Sequence, residues 1–317
     1  MIMRRYFLAI ICLFCLLSGQ AVANEKMTVL LDWFVNPDHG PLIIARENGY
    51  FANVGLEVDI VAPADPSAPP KLVAAGQADI AISYQPQLHL QIAQGLPLVR
   101  VGTLVATPLN CLLVLEDGPV KTLADLKGRK VGYSVAGVEE ALLTGMLARY
   151  DVKFSDIELI NVNFSLSPAL MSGQVDAVIG AFRNFELNQM DIEGIAGRCF
   201  YLEEEGIPSY DELIYVANPD KMNADKTRRF IEATEIATQF IINNPQESWE
   251  IFSATAKEFG ELAPGDEGDG NGGGNSRQHI AKQHEDAIAR HDGKAVQRDR
   301  RARYAHGERH QLQRNHQ

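Results

Sequence analysis

Apolar and polar residues follow the same order in two separate stretches of the chain. Residues 73–83, VAAGQADIAIS, and residues 170–180, LMSGQVDAVIG, each combine an apolar helix end, a Gly-Gln turn, an aspartate and a short apolar run. A short apolar run bounded by turn residues is typical of a buried strand. Each stretch therefore predicts a helix that ends near the glycine and a strand that begins at the aspartate.

The elements upstream of both stretches also come in the same order. Short apolar runs alternate with amphipathic segments at nearly equal spacing, so that each half reads strand, helix, strand, helix, strand. The predicted elements are 29–31, 39–48, 56–61, 67–75 and 79–82 in the first half, and 130–133, 137–150, 157–162, 167–172 and 176–179 in the second. The pattern predicts an α/β fold of two βαβαβ lobes, each with a parallel-sheet core and right-handed crossovers.

Two further segments rich in apolar β-formers, residues 98–115 and 200–216, lie between the halves. They predict a pair of crossing strands along which the chain passes to the second lobe and returns. We therefore assign residues 24–110 and the return segment 206–259 to the first lobe, and residues 111–205 to the second. The lobes would face each other across a cleft, where ligands of open α/β sheets bind beyond the carboxyl ends of the strands.

Both ends of the chain depart from this pattern. Residues 1–23 contain Arg4 and Arg5, an apolar run and the small-residue sequence AVA, which is the layout of a cleavable secretory signal. Residues 260–317 are rich in Arg, His, Gln, Gly and Asp and have no lasting apolar stripe, so we predict a disordered tail that comes from a shifted reading frame. The alternative is a metal-binding tail, since six of the eight histidines lie there.

Composition narrows the classes of partner. The net charge of −12 argues against nucleic acid or an anionic membrane surface. Without residues 1–23 only Cys111 and Cys199 remain; a disulfide between them is allowed, and two buried thiols are the simpler expectation. An EF-hand loop that starts at Asp269 would end on Ile280 instead of glutamate, so we expect no metal there.

The first predicted strand leads into LDWFVNPDHGP, residues 31–41. A strand-to-helix connection needs only a turn and a cap, yet this one carries two acids, two aromatic residues, an amide and a histidine. Because it lies at the carboxyl end of a strand, we expect it to line the cleft.

A family resemblance rests on these motifs. The export signal, LDWFVNPDHGPLIIARENGYF, GLEVDIV, GQADIAIS and TLADLKGRKVGYSVAG resemble periplasmic solute-binding proteins of ABC importers. Within them the chain is similar to the thiamine-precursor branch, which is related to the fungal thiamine pyrimidine synthases. The resemblance covers about residues 25–255, and its most specific parts are the W-x-x-N-x-x-H turn and GAFRNFE.

The resemblance implies a two-lobed periplasmic binding protein fold of type II, with a hydroxymethyl- or formylaminomethyl-aminopyrimidine bound in the cleft. It also implies a monomer in the periplasm, without a cofactor, whose partners are an ABC permease and its ATPase subunit.

The resemblance makes Trp33 a platform on which a flat pyrimidine stacks, whereas the alternative is a core tryptophan that closes the sheet. Asn36 and His39 follow in the same turn and could bond the ring edge; otherwise Asn36 satisfies the turn backbone and His39 only begins the helix. Asp38 is expected to cap that helix.

The other candidate ligand residues lie at strand ends or on the return segment: Tyr84, Gln85, Ser134, Phe182 or Phe185, Asn184, Glu186 and Tyr210. Glu186 suits an aminopyrimidine because a carboxylate accepts from the exocyclic amine and completes a second bond when it, or the ring, is protonated. The alternative is a solvated glutamate at a helix start. Arg183 is the one cleft-side cation of this stretch and would favour an anionic ligand.

Two rival functions remain open at this point. The same fold could bind a sulfonate, nitrate or a riboflavin precursor, although anion binders should place Arg or Lys at the strand ends. An enzyme is the other rival, but the fungal synthases carry a cysteine cluster where this chain has residues 206–215, and their substrate histidine falls near Gln87 instead of His89. We therefore expect a binding protein without catalytic activity.

Overall fold

The structure, a computed structural model, describes residues 24–256. The predicted export signal, residues 1–23, and the predicted tail, residues 260–317, lie outside the described residues. None of the helices in the described part is long and apolar enough to cross a bilayer. That part also contains no group of three or more His, Cys, Asp or Glu residues that could hold a metal ion.

The first lobe is a five-stranded sheet covered by helices. Its strands are β1 Glu25–Leu30, β2 Leu56–Val61, β3 Ile80–Ser83, β4 Val99–Val105 and β10 Leu213–Ala217; its helices are α1 Gly40–Glu47, α2 Tyr50–Asn53, α3 Pro69–Ala75, α4 Gln85–Ala93, α8 Ala224–Asn243 and α9 Pro245–Ala256. The strand order is β2-β1-β3-β10-β4, with β1 parallel to β2 and β3, and β10 antiparallel to both neighbours.

The second lobe repeats this arrangement. Its strands are β5 Asn110–Leu115, β6 Lys130–Tyr133, β7 Glu158–Asn161, β8 Ala177–Phe182 and β9 Gly197–Tyr201; its helices are α5 Glu139–Leu147, α6 Leu166–Met171 and α7 Glu186–Ile192. The order β7-β6-β8-β5-β9 contains three parallel strands and one antiparallel strand in the same places as in the first sheet. The predicted pair of α/β lobes with parallel-sheet cores is therefore confirmed.

The repeated Gly-Gln-x-Asp motif has the same structural role in both lobes. Gly76 and Gly173 end α3 and α6 with φ of 76° and 71°, the left-handed conformation that glycine adopts without a steric penalty. Immediately before the next strand, Asp79 accepts from the Thr28 amide at 2.8 Å and Asp176 from the Lys130 amide at 3.0 Å. The motif thus ends a helix and fastens the following strand to its neighbour.

The crossing segments are shorter than the sequence predicts. Residues 98–115 contain β4 and β5, which belong to different sheets, so the chain crosses between the lobes within residues 106–109. The return crossing runs from β9 to β10 through residues 202–212. These two short crossing segments therefore lie at the boundary between the lobes.

Cys111 on β5 and Cys199 on the adjacent strand β9 form a disulfide. The expectation of two buried thiols is therefore wrong. The two strands are antiparallel neighbours, and the Cα atoms lie 5.5 Å apart, a separation that sequence spacing does not reveal.

Candidate ligand-binding site

A cavity lies between the lobes, at the carboxyl ends of β1, β3, β6 and β8. It contains about 670 Å³ of space, counted out to and including its open mouth. Its walls are formed by Asp32, Trp33, Asn36, Tyr84, Pro86, Asn110, Ser134, Val135, Val138, Glu139, Leu142, Leu166, Ile179, Gly180, Phe182, Phe185, Glu186, Tyr210 and Glu212.

The polar residues of the first turn hold one another in place. The Asn36 side chain accepts from the Asp38 amide at 2.9 Å and caps a 3-10 turn, Pro37–His39. His39 Nδ1 accepts from the Asn36 amide at 3.2 Å, so His39 Nε2 carries the proton and donates to Asp32 Oδ1 at 2.9 Å. Tyr84 donates its hydroxyl to Asp32 Oδ2 at 2.8 Å. The turn therefore fixes the Asp32 carboxylate at the cavity wall.

Trp33 contributes to the cavity wall and to the contact between the lobes. Its ring meets the edge of Phe164, a second-lobe residue, with centroids 4.8 Å apart, and it packs within the apolar cluster of the second lobe. Its indole Nε1 is buried and has no hydrogen-bond partner. A buried indole N–H usually has an acceptor, so this donor is available to a ligand or a water molecule.

Glu186 is a buried carboxyl group at the start of α7. Its Oε2 accepts from the Phe182 amide at 2.6 Å, which orients the group. Burial raises the pKa of Glu186 to about 8, although the backbone hydrogen bonds act in the opposite direction. At neutral pH Glu186 therefore holds a proton in the absence of ligand and can both donate and accept.

Glu212 joins the two crossing segments at the cavity. It lies on the return segment and accepts from the amides of Leu109 and Asn110 on the outward segment, at 2.7 and 2.9 Å. Burial raises its pKa to about 7, again against the effect of these hydrogen bonds. Asn110 continues the network, since its Oδ1 accepts from the Gly180 amide at 3.0 Å.

The cavity is rich in carboxyl groups and lacks positive charge. Four acids line it, Asp32, Glu139, Glu186 and Glu212, whereas no Lys, Arg or His is among the described residues that line it. Arg183 lies outside: its guanidinium pairs with Glu203 at 2.7 Å and donates to the Leu109 and Asn110 carbonyls. The expectation that Arg183 is a cleft-side cation is therefore wrong, and an anion in this cavity would have no cationic partner there.

Sequence comparison places the chain in a family. The NMT1/THI5 like family profile matches residues 36–248. The chain belongs to this family. It is 52% identical over 248 residues to a putative thiamine biosynthesis protein of Haemophilus influenzae, covering 78% of each chain. It is 34% identical over 238 residues to the formylaminopyrimidine-binding protein of Halalkalibacterium halodurans, covering 74% of this chain and 72% of that protein.

NMT1/THI5-like proteins also include enzymes. A 4-amino-5-hydroxymethyl-2-methylpyrimidine phosphate synthase of Saccharomyces cerevisiae is 26% identical over 252 residues, covering 73% of this chain and 71% of the enzyme. Among solved structures, the aliphatic sulphonate binding protein SsuA of Escherichia coli is similar with a TM-score of 0.58 at 19% identity, covering 86% of this chain and 93% of that one. This likeness confirms the periplasmic binding protein fold.

The structure brings seven of the ten predicted site residues of this NMT1/THI5-like chain to the cavity wall: Trp33, Asn36, Tyr84, Ser134, Phe182, Glu186 and Tyr210. Phe185, the alternative to Phe182, lines it as well. Ser134 is held by a hydrogen bond from its Oγ to the Asn163 carbonyl. Their contact with a ligand stays a prediction.

Three predicted residues and Asp38 lie elsewhere. His39 is fully buried behind the wall and bonds Asp32. Gln85 accepts from the Asp211 amide at 2.7 Å on the return segment, and Asn184 donates to Asp38 at 2.7 Å. Asp38 is not the helix cap, because Asn36 already satisfies the first amides of the turn.

Four polar residues at the wall were missed: Asp32, Asn110, Glu139 and Glu212. Asp32 could have been found, since it belongs to the same turn as Trp33. Asn110 and Glu212 carry no sequence signal, because they meet only when the two crossing segments come together. Glu139 lies in the first turn of a helix, and its Oε2 accepts from the Gly137 and Val138 amides.

The buried acids predict that the ligand-free protein loses stability as the pH rises. Glu186 and Glu212 have pKa values raised in the folded state to about 8 and about 7. Their stabilising effect is complete below the unfolded value near 4.5 and is lost as the pH passes through 7 and 8. Urea unfolding should show that the free energy of unfolding falls by an amount on the order of 2–4 kcal/mol between pH 5 and 8.5. The loss is smaller than the two pKa values alone imply, because water hydrates the carboxyl groups when the lobes open.

The variant Glu186→Gln removes one of these titrations and should show a shallower pH dependence of the unfolding free energy. The exposed acid Glu193, which directly follows the last residue of α7, offers a matched control. Glu193→Gln should keep the wild-type pH dependence of the unfolding free energy. Identical slopes in wild type and Glu186→Gln would contradict the assignment of a protonated Glu186.

Proposed function

We propose that this chain is the extracytoplasmic solute-binding subunit of an ABC importer and that its interlobe cavity binds an aminopyrimidine precursor of thiamine. The observation that carries the proposal is the composition of the cavity wall, which combines aromatic rings with four carboxyl groups and no cation among the described lining residues. A membrane permease and its ATPase subunit are the partners in this proposal, and the binding protein acts as a monomer in the periplasm.

An aminopyrimidine complements this wall chemically. Its exocyclic amine offers two N–H donors, and its ring nitrogens accept, or donate when protonated. A protonated Glu186 can donate its O–H to a ring nitrogen while its other oxygen accepts from the amine, and an ionised Glu186 pairs with a protonated ring. The ring faces are apolar and suit the indole of Trp33 and the rings of Tyr84 and Phe182, which line the same cavity.

The anionic ligands of structurally similar proteins fit this cavity poorly. A sulfonate or nitrate would have to enter a buried site whose wall bears Asp32 and three further acids, and burying a charge without a partner is costly. Arg183, which could have offset that cost, is engaged with Glu203 outside the cavity. Sulfonate or nitrate binding is therefore disfavoured.

Synthase activity, the function of the yeast relatives, is not part of the proposal. The described residues that line the cavity include no Lys, His or Cys, the side chains that commonly serve as nucleophile, base or imine-forming amine. A carboxyl-rich wall is sufficient for capturing an amine-bearing ring. The proposal therefore assigns binding alone.

A thermal-shift panel tests the proposed ligand class. The exported form of the protein, without residues 1–23, is heated with hydroxymethyl-aminopyrimidine, formylaminomethyl-aminopyrimidine, taurine or nitrate. A ligand at 100 times its Kd stabilises by about 2.7 kcal/mol, which should raise Tm by about 5–10 °C for a chain of this size. We expect this rise with an aminopyrimidine and none with the anions. A rise with taurine or nitrate, and none with either pyrimidine, would overturn the proposal.

A further inference from the structure

A polar pair connects the lobes outside the cavity. Asp38 lies on the 3-10 turn after β1, and Asn184 lies on the turn between β8 and α7. Asn184 Nδ2 donates to Asp38 Oδ1 at 2.7 Å. Because the two residues belong to different lobes, this hydrogen bond exists only when the lobes are together.

The remaining two oxygens of this pair are buried and unsatisfied. Asp38 Oδ2 and Asn184 Oδ1 are both shielded from solvent, and neither has a hydrogen-bond partner. An ionised carboxylate only accepts, as does an amide oxygen, so neither atom can satisfy the other. One proton on Asp38 Oδ2 changes this, since the acid then donates to Asn184 Oδ1 while Asn184 Nδ2 donates back to Asp38 Oδ1. The result is a ring of two hydrogen bonds that leaves no unsatisfied oxygen.

We propose that Asp38 and Asn184 form a proton-dependent latch, which takes up one proton from solvent as the lobes close and releases it as they open. The pair lies behind the cavity wall, so the latch acts on the closure of the lobes and not on the ligand directly. The proposal rests on the proposed function in so far as ligand binding closes the lobes.

The surroundings of Asp38 favour the protonated form in the closed state. Burial raises the pKa of Asp38 to about 6 from an ordinary 3.8; the Asn184 hydrogen bond and His39 lower it, and Asp32 raises it. Glu186, at the start of α7, is a further acid whose titration is coupled to that of Asp38. The His39 imidazole is held by the Asn36 amide and by Asp32.

The sign of the pH dependence follows from linkage. When the lobes part, water hydrates the carboxyl group and its pKa returns toward 3.8, so the closed form holds the extra proton between pH 3.8 and about 6. Closure is therefore favoured as the pH falls through 6. Between pH 7.5 and pH 5 the latch should strengthen closure, and with it ligand affinity, about tenfold.

The variant Asp38→Asn tests the latch because an amide at position 38 imitates the protonated acid at every pH. Its Nδ2 can donate to Asn184 Oδ1 while Asn184 donates back, which gives the same ring of two bonds. The probe is formylaminomethyl-aminopyrimidine, titrated at pH 5, 6, 7 and 7.5. Dividing the wild-type affinity by that of Asp38→Asn cancels the titration of the ligand and of the cavity acids other than Glu186, whose titration is coupled to that of Asp38.

We expect the affinity advantage of Asp38→Asn over wild type to be about tenfold larger at pH 7.5 than at pH 5, because wild type takes up the latch proton over this range. Asn184→Asp, which places two acids together, should bind more weakly than wild type at pH 7.5 and recover as the pH falls. Asp59→Asn, on the exposed side of β2, is the matched control and should follow wild type throughout. A constant ratio of wild type to Asp38→Asn across the pH range would overturn the latch.

Small-angle scattering of the ligand-free proteins separates failure of the latch from failure of the proposed function. The wild-type radius of gyration should decrease from pH 7.5 to pH 5, while that of Asp38→Asn stays at the lower value. This result would support the latch even if no pyrimidine binds. Equal pH dependence of the two radii would overturn it whatever the ligand is.

Discussion

Replacing Trp33 with alanine is expected to weaken aminopyrimidine binding by about 2–3 kcal/mol, which is roughly a 30- to 150-fold rise in Kd. Two losses add in this variant. The ligand loses the ring that lines the cavity, and the closed state loses the edge contact between Trp33 and Phe164, whose centroids lie 4.8 Å apart. Calorimetric titration of the variant with formylaminomethyl-aminopyrimidine measures the effect.

The second tryptophan supplies a matched control. Trp249 lies on α9, where it stacks on Phe252 at 5.9 Å and lines a small groove that shares no lining residue with the cavity. Trp249→Ala should lower the free energy of unfolding of the first lobe and leave Kd unchanged. Wild-type affinity in Trp33→Ala would mean that Trp33 serves only to pack the second lobe.

Removing the disulfide is expected to have the largest effect on stability. Cys111 and Cys199 are 88 residues apart, and a bridge over such a loop stabilises by about 2–5 kcal/mol, mainly by restricting the unfolded chain. The variant Cys111→Ala/Cys199→Ala leaves neither a free thiol nor a buried hydroxyl. Urea unfolding should show the loss in the transition of the second lobe, because β5 and β9 both belong to that sheet.

Adding a thiol reductant to the wild type should reproduce this loss, whereas the double variant should be insensitive to the reductant. Thiol counting on unreduced, denatured protein that lacks residues 1–23 should find no free cysteine, since Cys111 and Cys199 are the two that remain. Two free thiols together with unchanged stability in the variant would contradict the disulfide.

Local patterns in the sequence predict the fold well because the fold is repetitive. The Gly-Gln-x-Asp motif occurs twice and has the same role in both lobes. Gly76 and Gly173 end helices, and Asp79 and Asp176 accept hydrogen bonds from backbone amides of a neighbouring strand. The helix ends are local features, so turn chemistry and apolar periodicity are sufficient to find them, whereas the aspartate bonds join residues 51 and 46 positions apart in the sequence. The element order and the two-lobed class follow from such signals.

The site is less predictable because it depends on contacts between distant segments. Glu212 meets the amides of Leu109 and Asn110 only because the outward and return crossings lie side by side. His39 is a residue that the sequence predicts at the site but the structure places elsewhere. Its residue type favours a ligand contact, yet it is fully buried and orients Asp32. Which residue of a polar turn faces the cavity depends on the turn's own hydrogen bonds, and residue type alone does not reveal them.

Arg183 illustrates how a single side-chain direction changes the functional interpretation. By sequence it is a cation next to Phe182, and it favours an anionic ligand. In the structure its guanidinium lies 4.2 Å from the centre of the Tyr201 ring and pairs with Glu203. The cavity is left with acids alone among its charged lining residues in the described part of the chain, which reverses the preferred charge of the ligand.

The central claim is that the carboxyl-rich cavity binds an aminopyrimidine, and calorimetric titration of wild type and Glu186→Met tests it most directly. We expect wild type to bind hydroxymethyl- or formylaminomethyl-aminopyrimidine with Kd of about 1 μM or tighter, near −8 kcal/mol. Glu186→Met should lose about 1.5–3 kcal/mol of that binding, because it removes hydrogen bonds to a charged or acidic group, while taurine and nitrate should give no heat. Heat with taurine or nitrate and none with either pyrimidine, or full affinity in Glu186→Met, would contradict the claim.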